Sequence, residues 1–145
     1  MRPATTTPAP PTARPSSRFI TLGPVRARVT RSFTFEAAHQ LPWHQGRCRQ
    51  LHGHHYRLEV TVEGPVGPDG IVVDFDELAE GFGGLVRERY DHSYLNDLVD
   101  NPTAEIIATD VWKQLEAVPV ETGSIRVVSL RLWETPDSSV ELLAD

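Results

Sequence analysis

Three histidines and the only cysteine of the chain lie close together in the sequence. His39 comes first, and Cys48, His52 and His54 follow it. Imidazole nitrogens are common zinc ligands. Catalytic zinc typically has three protein ligands and one exchangeable position, whereas structural zinc usually has four protein ligands. A thiol beside such an ion loses its proton more readily and can act as a base or nucleophile. The spacing therefore predicts a zinc site with an open position next to a reactive sulfur.

The phase of these histidines along two predicted strands indicates that their rings converge. Side chains of a strand alternate between its two faces. On the first strand, His39 is in phase with the apolar odd-numbered residues, and on the second strand His52 and His54 are in phase with the apolar even-numbered residues. If the strands are neighbours, all three rings share the inner face of the sheet. His55 points to the other face and His44 falls in a loop, so neither is expected to bind the metal.

Other interpretations of these residues stay open at the level of sequence. Copper, nickel and iron also accept imidazole ligands, and the histidines could instead be core or surface residues satisfied by hydrogen bonds. Cys48 could close the site as a fourth ligand, or be an ordinary buried free cysteine. Three histidines in phase favour metal binding, and the loop that separates Cys48 from the second strand favours a base or nucleophile.

Two acidic residues outside this stretch are candidates for further chemistry. Asp91 directly precedes His92, and a carboxylate bonded to an imidazole holds it in one tautomer and raises its basicity. Glu134 ends a predicted strand in phase with apolar residues, so its carboxylate could point inward and receive two parallel N–H groups from a guanidine-like ring edge. The alternatives are a histidine at a helix end beside a solvated aspartate, and a solvated glutamate at a strand end.

The elements that must position these residues follow the order β-β-α-α-β-β. Strands are predicted at 25–39, 52–63, 124–134 and 139–143. The first of two intervening helices is expected to be capped by Asp76, and the second to open at Asn101 with Pro102 in its first turn. Apolar stripes expected to face the sheet are formed by Leu78, Phe82, Leu85, Val86, Ile107, Val111, Leu115 and Val118. This order predicts an α+β fold in which two helices cover one face of an antiparallel sheet.

Length, charge and cysteine content narrow the class of protein. The chain has 145 residues, which suits one domain, expected at 25–145, and its formal net charge of −6 argues against nucleic acids and anionic membranes as partners. It has no apolar run of transmembrane length. The single cysteine excludes an intrachain disulfide and indicates a cytoplasmic protein. Residues 1–24 are rich in Pro, Thr and Ala, lack the apolar middle of a secretory signal, and are predicted to be a disordered tail.

Six short motifs occur in order along the chain. They are Phe35-Glu36-Ala37-Ala38-His39, Cys48-x-x-x-His52-Gly53-His54-x-Tyr56, Val73-Asp74-Phe75, Asp91-His92-x-x-Leu95-Asn96, Pro102-Thr103-x-Glu105 and Trp133-Glu134-Thr135. As a set they resemble the 6-pyruvoyl-tetrahydropterin synthase / 6-carboxytetrahydropterin synthase family, and the resemblance covers nearly everything after Arg26. The chain departs from the family pattern at Tyr90, which is usually Leu.

This resemblance implies a fold, an assembly and a set of residue roles. The fold is the tunnelling fold, a β-β-α-α-β-β unit that assembles into a barrel, typically as trimers stacked into hexamers. The implied roles are zinc binding by His39, His52 and His54, a catalytic base at Cys48, proton relay by Asp91 and His92, a pterin anchor at Glu134, and pterin-pocket positions at Thr103 and Glu105. Sites in the family form between subunits, so the Asp91–His92 pair is expected to reach the Cys48 of a neighbour. For Thr103 and Glu105, structural capping is the alternative.

Spacing within the motifs separates branches of the family. Three residues lie between Cys48 and His52, and the last of them is Leu51. This resembles the 6-carboxytetrahydropterin synthase branch, which converts 7,8-dihydroneopterin triphosphate to 6-carboxy-5,6,7,8-tetrahydropterin, acetaldehyde and triphosphate for 7-deazapurine synthesis, as in queuosine. The alternatives are a 6-pyruvoyl-tetrahydropterin synthase, a non-catalytic zinc-stabilised pterin-binding subunit, and dihydroneopterin aldolase-like chemistry that needs no metal.

Overall fold

The computed structural model of the chain describes residues 3–9 and 25–145. Residues 3–9 are exposed and form neither helix nor strand. Most of the predicted tail, residues 10–24, lies outside the described residues. Within the described part, no helix is long and apolar enough to cross a lipid bilayer.

The described residues form one sheet of five strands in the order β3-β1-β2-β4-β5. The strands are β1 (Arg26–His39), β2 (His52–Pro65), β3 (Ser93–Tyr94), β4 (Arg126–Thr135) and β5 (Ser138–Leu143). The two long strands β1 and β2 pair antiparallel along their whole length, from Arg26 opposite Pro65 to His39 opposite His52. Their alternating apolar and polar residues make this register the one that buries a single face. The pairing therefore brings both histidines to the same end of the sheet.

Two α-helices, α1 (Phe75–Leu85) and α2 (Ala104–Glu116), cover the apolar face of the sheet. Side chains from both helices and from β2 pack in one core, which includes Leu58, Val60, Leu78, Phe82, Val86, Ile107, Val111 and Leu115. Leu85 and Val118, also predicted to face the sheet, are only partly buried at its margin. The opposite face of the sheet is polar and carries ion pairs such as Arg28 with Glu63. The predicted α+β class is confirmed.

The first residues of both helices differ from the prediction. Asp74, rather than Asp76, caps α1, and its carboxylate accepts a hydrogen bond from the Asp76 N–H at 2.9 Å. Thr103 caps α2 and accepts a hydrogen bond from the Ile106 N–H at 3.2 Å. An N-cap residue needs extended backbone angles, whereas Asn101 has a φ of 54°. The prediction that α2 opens at Asn101, with the following proline in its first turn, is therefore wrong.

The short strand β3 makes the sheet mixed rather than purely antiparallel, because it pairs parallel to β1 at Ala37 and Ala38. A strand of two residues is too short to show a period in the sequence. A π-helical turn, Val86–Tyr90, continues α1, and the Asp91 N–H donates to the Val86 carbonyl at 3.0 Å. Such turns are often found at functional sites. Here the turn and β3 together hold the residues that follow the helix against β1.

Candidate metal centre

The three histidines converge where β1 ends and β2 begins. His39 lies opposite His52, and His54 lies opposite Ala37. The ring centroids are between 4.6 and 5.1 Å apart, and one ligand nitrogen of each ring lies within 4.8 Å of the others. His39 is fully buried, whereas the other two are half-buried. The strand phase therefore brings the three rings together as predicted.

Backbone carbonyls determine which nitrogen of two of these rings faces the centre. His39 Nδ1 is 2.8 Å from the carbonyl oxygen of Pro102, and His52 Nδ1 is 2.7 Å from that of Gln50. Because a carbonyl only accepts, each Nδ1 must carry a proton, and the Nε2 of each neutral ring then presents a lone pair. Partners of this kind orient histidines that bind metals.

The positions of the three Nε2 atoms show whether a metal ion fits the site. His39 Nε2 and His52 Nε2 are 3.0 Å apart. His54 Nε2 is buried and has no hydrogen-bond partner among the described residues. Two nitrogens bound to one tetrahedral zinc lie about 3.3 Å apart, given Zn–N bonds of about 2.0–2.1 Å. A single proton shared between His39 Nε2 and His52 Nε2 would leave His54 Nε2 without a partner. A metal cation, in contrast, can accept a lone pair from all three nitrogens. The donor set therefore fits zinc or a similar divalent ion.

The protonation of His54 favours the same role. Burial lowers the pKa of this ring, Glu134 raises it, and the neighbouring His52 and His39 lower it again, with a net decrease. A lowered pKa keeps imidazole neutral near pH 7, and neutral imidazole is the form that binds a metal.

The other two histidines near this region face away from the centre. His55 lies on the polar face of the sheet and is bonded to the carboxylate of Glu36, which is its partner in the β1–β2 register. His44 accepts a hydrogen bond from the Gly46 N–H at 2.8 Å in the loop between the strands. Neither belongs to the group of converging ligand atoms, in agreement with the expectation from strand phase.

Glu134 lies beside the histidines, on the inner side of the sheet as expected. Its Oε1 is 3.5 Å from His39 Nε2 and 4.0 Å from His54 Nε2. The register between β4 and β5 shifts between Trp133 and Thr135, so the pairing of these two strands skips Glu134. A cavity of about 510 Å³ adjoins it and is lined by Gly53, His54, His55, Arg57, Trp133, Glu134, Thr135 and Pro136. Cavities of this size hold small organic ligands.

Cys48 lies in a 3-10 turn, Arg47–Arg49, within the loop that joins β1 to β2. The loop is folded back on itself by a hydrogen bond of 2.8 Å from the Leu41 N–H to the Cys48 carbonyl. The thiol is half-buried, and its sulfur is not in the group of converging ligand atoms. Cys48 nevertheless helps to raise the pKa of the Tyr56 phenol, which is on the inner side of β2. This position is near the centre without making the sulfur a fourth ligand.

Tyr56 lies directly beside the three histidines, on the inner side of β2. Its ring stacks on Phe35 with centroids 4.8 Å apart, and the rings of His39 and His54 lie nearly perpendicular to it, with centroids 6.3 and 5.6 Å away. Burial raises the pKa of the phenol, and the neighbouring Glu134 and Cys48 raise it further, so the hydroxyl keeps its proton. The strand alternation places Tyr56 in phase with the histidines, but the sequence analysis assigned it no role.

Asp91 and His92 are paired and anchored to β1. Asp91 Oδ1 accepts a hydrogen bond from the Glu36 N–H at 2.9 Å, and Asp91 Oδ2 is 3.0 Å from His92 Nδ1. The His92 N–H donates to the Glu36 carbonyl at 2.6 Å. The hydrogen bond from Glu36 and the adjacent His92 lower the pKa of Asp91. Within the described residues, no hydrogen bond joins this pair to Cys48 or to the three converging histidines.

Thr103 and Glu105 occupy the start of α2, behind the metal centre. Thr103 caps the helix with its hydroxyl, which is the structural role considered as the alternative for it. The Glu105 side chain is exposed, and its carbonyl accepts a hydrogen bond from Thr109 Oγ1 at 2.8 Å. The sequence analysis missed the supporting carbonyls of Gln50 and Pro102, because every residue has a carbonyl and only the fold shows where it points.

Fold and site together define the class of protein. It is an α+β domain with a five-stranded sheet, and three histidines that could hold a metal ion lie at one end of that sheet. Residues 28–145 match the family model for 6-pyruvoyl tetrahydropterin synthase. The chain belongs to the 6-pyruvoyl tetrahydropterin synthase family.

Curated relatives and solved structures agree with this membership. The chain is 40% identical to a 6-carboxy-5,6,7,8-tetrahydropterin synthase of Synechocystis, over 77% of this chain and 88% of that protein. It is 37% identical to a dihydroneopterin monophosphate aldolase of Pyrococcus furiosus, over 81% of this chain and 98% of that protein. Its fold is similar to that of the Caenorhabditis elegans 6-pyruvoyl tetrahydropterin synthase, with a TM-score of 0.72 and 24% identity over 83% of this chain and 97% of that one.

Proposed function

We propose that this protein is a zinc-dependent lyase that converts 7,8-dihydroneopterin triphosphate and water to 6-carboxy-5,6,7,8-tetrahydropterin, acetaldehyde and triphosphate. The observation that carries the proposal is the convergence of three histidine nitrogens beside the Glu134 carboxylate, one of them buried without a partner among the described residues. The 6-carboxy-5,6,7,8-tetrahydropterin synthase of Synechocystis, 40% identical, supports this choice of product. The product would serve 7-deazapurine synthesis of the queuosine type.

The proposed roles follow from the chemistry of each group. Glu134 receives two N–H groups from the edge of the pterin, because an ionised carboxylate accepts two parallel hydrogen bonds strongly. Cys48, as thiolate, removes a proton from the substrate side chain. A bound zinc ion supplies Lewis acidity toward the side-chain hydroxyls. His92, oriented by Asp91, carries protons in the later steps.

A homo-oligomer is part of this proposal. The side chain of His92 is 81% exposed, and its backbone has a φ of 59°. A non-glycine residue in this conformation is strained and is often found at functional positions. We infer that the exposed ring reaches the Cys48 of a neighbouring subunit, in a trimeric or hexameric assembly. Thr103 and Glu105 would then border the pterin pocket, in a cytoplasmic protein whose domain spans residues 25–145.

Identification of the products tests the reaction directly. The purified zinc-loaded protein is incubated with 7,8-dihydroneopterin triphosphate, and the mixture is analysed by mass spectrometry. We expect equimolar acetaldehyde and 6-carboxytetrahydropterin. The absence of both would overturn the proposed reaction, and 6-pyruvoyl-tetrahydropterin as the sole product would favour the related synthase activity. Tight pterin binding without any turnover would instead indicate a non-catalytic binding subunit.

A second candidate function is an aldolase reaction on a dihydroneopterin monophosphate. The observation that favours it is the relative of that name in Pyrococcus furiosus, which aligns over 98% of its length at 37% identity. Both reactions break a carbon–carbon bond of the pterin side chain. Offering the monophosphate and the triphosphate in parallel separates them, because only the aldolase reaction leaves the phosphate on the released fragment. Faster turnover of the monophosphate would establish the second candidate.

Replacing Glu134 with glutamine is expected to weaken pterin binding about a hundredfold while the metal content stays the same. The neutral amide loses two charge-assisted hydrogen bonds, each worth about 1.5–3 kcal/mol before compensation by water. Affinity is measured by fluorescence titration with neopterin, and metal by elemental analysis. Glu36→Gln is the matched control, because Glu36 bonds His55 on the opposite face of the sheet. Loss of metal in Glu134→Gln alone would indicate that the carboxylate is a ligand rather than an anchor.

A further inference from the structure

Tyr56 and Tyr90 are both fully buried, and both rings pack on Phe35, but within the described part of the chain only the Tyr90 hydroxyl has a hydrogen-bond partner. The ring centroids are 4.8 Å from Phe35 for Tyr56 and 5.7 Å for Tyr90. The Tyr90 hydroxyl donates to Asp110 Oδ2 at 2.6 Å and accepts from Arg89 Nε at 3.3 Å. The Tyr56 hydroxyl has no hydrogen-bond partner among the described residues.

A buried hydroxyl without a partner is costly, because it gives up its hydrogen bonds to water and gains none from the protein. A phenylalanine at position 56 would stack on Phe35 equally well and carry no such cost. Most buried polar groups in folded proteins are satisfied, and the exceptions often mark functional positions. The Tyr56 hydroxyl therefore requires an acceptor other than those that residues 3–9 and 25–145 supply.

The surroundings of Tyr56 indicate where such an acceptor would lie. The rings of His39 and His54 in the metal centre lie nearly perpendicular to the Tyr56 ring, with centroids 6.3 and 5.6 Å from it. On the neighbouring strand, Trp133 lies opposite Arg57, so Glu134 is at the next position beside Tyr56. The phenol is thus buried directly beside the site that holds the Glu134 carboxylate and the three converging nitrogens, and its O–H is a neutral donor next to them.

We propose that Tyr56 is a binding residue whose hydroxyl donates a hydrogen bond to an acceptor atom of the pterin bound at this centre. This inference rests on the proposed function, since it takes the ligand to be a pterin. It assigns to the site a neutral donor that complements Glu134, which only accepts hydrogen bonds when ionised. One residue thus binds N–H groups of the ligand and the other an oxygen or a ring nitrogen.

The test compares Tyr56→Phe with Tyr90→Phe. Thermal unfolding is measured on metal-free and zinc-loaded protein, and affinity is measured by fluorescence titration with neopterin. We expect Tyr56→Phe to keep its zinc, to melt at or slightly above the wild-type temperature, and to bind neopterin roughly three- to tenfold more weakly, as for the loss of one hydrogen bond. Tyr90→Phe should melt about 5 °C lower, because it leaves Asp110 and Arg89 short of a partner, and should bind neopterin normally.

Each contrary outcome has a distinct meaning. Unchanged neopterin affinity in Tyr56→Phe overturns the inference. A lower melting temperature for metal-free Tyr56→Phe, comparable to that of Tyr90→Phe, also overturns it, because the hydroxyl would then have a structural partner such as a buried water. If the wild-type protein neither binds neopterin nor turns over 7,8-dihydroneopterin triphosphate, the proposed function fails and this inference fails with it.

Discussion

Replacing Cys48 with alanine is expected to lower kcat on 7,8-dihydroneopterin triphosphate by roughly a thousandfold, which is typical for loss of a general base. The metal content should not change, because the sulfur is not in the group of converging ligand atoms. The melting temperature should change little, because the thiol is only half-buried in a surface turn. A large loss of rate with an intact metal site is therefore the signature of a base rather than a ligand.

The measurement combines product analysis with elemental analysis of the same preparation. Full activity of Cys48→Ala would remove the thiol from the mechanism. Loss of the metal together with activity would instead show that Cys48 closes the site as a fourth ligand. Mixing Cys48→Ala with a His92→Ala variant adds a test of the assembly: if the catalytic groups come from different subunits, mixed oligomers should recover part of the activity that each variant lacks.

Replacing His52 with alanine is expected to lower the affinity for zinc by more than about a hundredfold. Loss of an outer-sphere partner alone costs about ten- to a hundredfold, and removal of a ligand should cost more. Zinc at a thousand times its dissociation constant stabilises the native state by about 4 kcal/mol, or about 10 °C for a domain of this size. The variant should therefore lose both its metal and the stabilisation that added zinc gives to the wild-type protein.

His55→Ala is the matched control for this experiment. His55 is three positions further along the same strand and on its polar face, where it is bonded to Glu36. It should keep its zinc and its thermal shift on metal addition. Equal zinc content in His52→Ala and the wild-type protein would contradict the proposed centre. Equal loss of zinc in His52→Ala and His55→Ala would indicate that the substitutions disturb the strand β2 and do not act by removing a ligand.

Much of the fold follows from local patterns in the sequence. Alternation along β1 and β2 predicted the antiparallel pair, its buried face and the convergence of His39, His52 and His54, because a period of two leaves only one register that buries the apolar side. The 3.6-residue period likewise predicted the inner faces of α1 and α2. Helix ends were less predictable, since Asp74 and Asp76, or Asn101 and Thr103, are all residue types that cap helices, and backbone angles decide among them.

Other features of the site depend on contacts between distant segments. The parallel strand β3 exists only because Ser93 and Tyr94 meet β1, and it holds Asp91 and His92 against Glu36. Adjacent residues in a sequence need not face each other, so the sequence offered the pairing of Asp91 with His92 only as one alternative, and the structure shows it together with a left-handed backbone at His92. The sequence carried no signal for the strand β3.

By itself, the sequence determined which side chains could bind a metal and which face of each strand carries them, because side-chain type and strand period are local properties. Only the tertiary structure decided how those side chains are supported. The Gln50 carbonyl that orients His52 is only two residues away in the chain. The Pro102 carbonyl that orients His39, the approach of Glu134 across the sheet, and the burial at Tyr56 of a phenol without a partner among the described residues all depend on segments far apart in the chain. Such contacts arise from packing, which no local pattern of residues encodes.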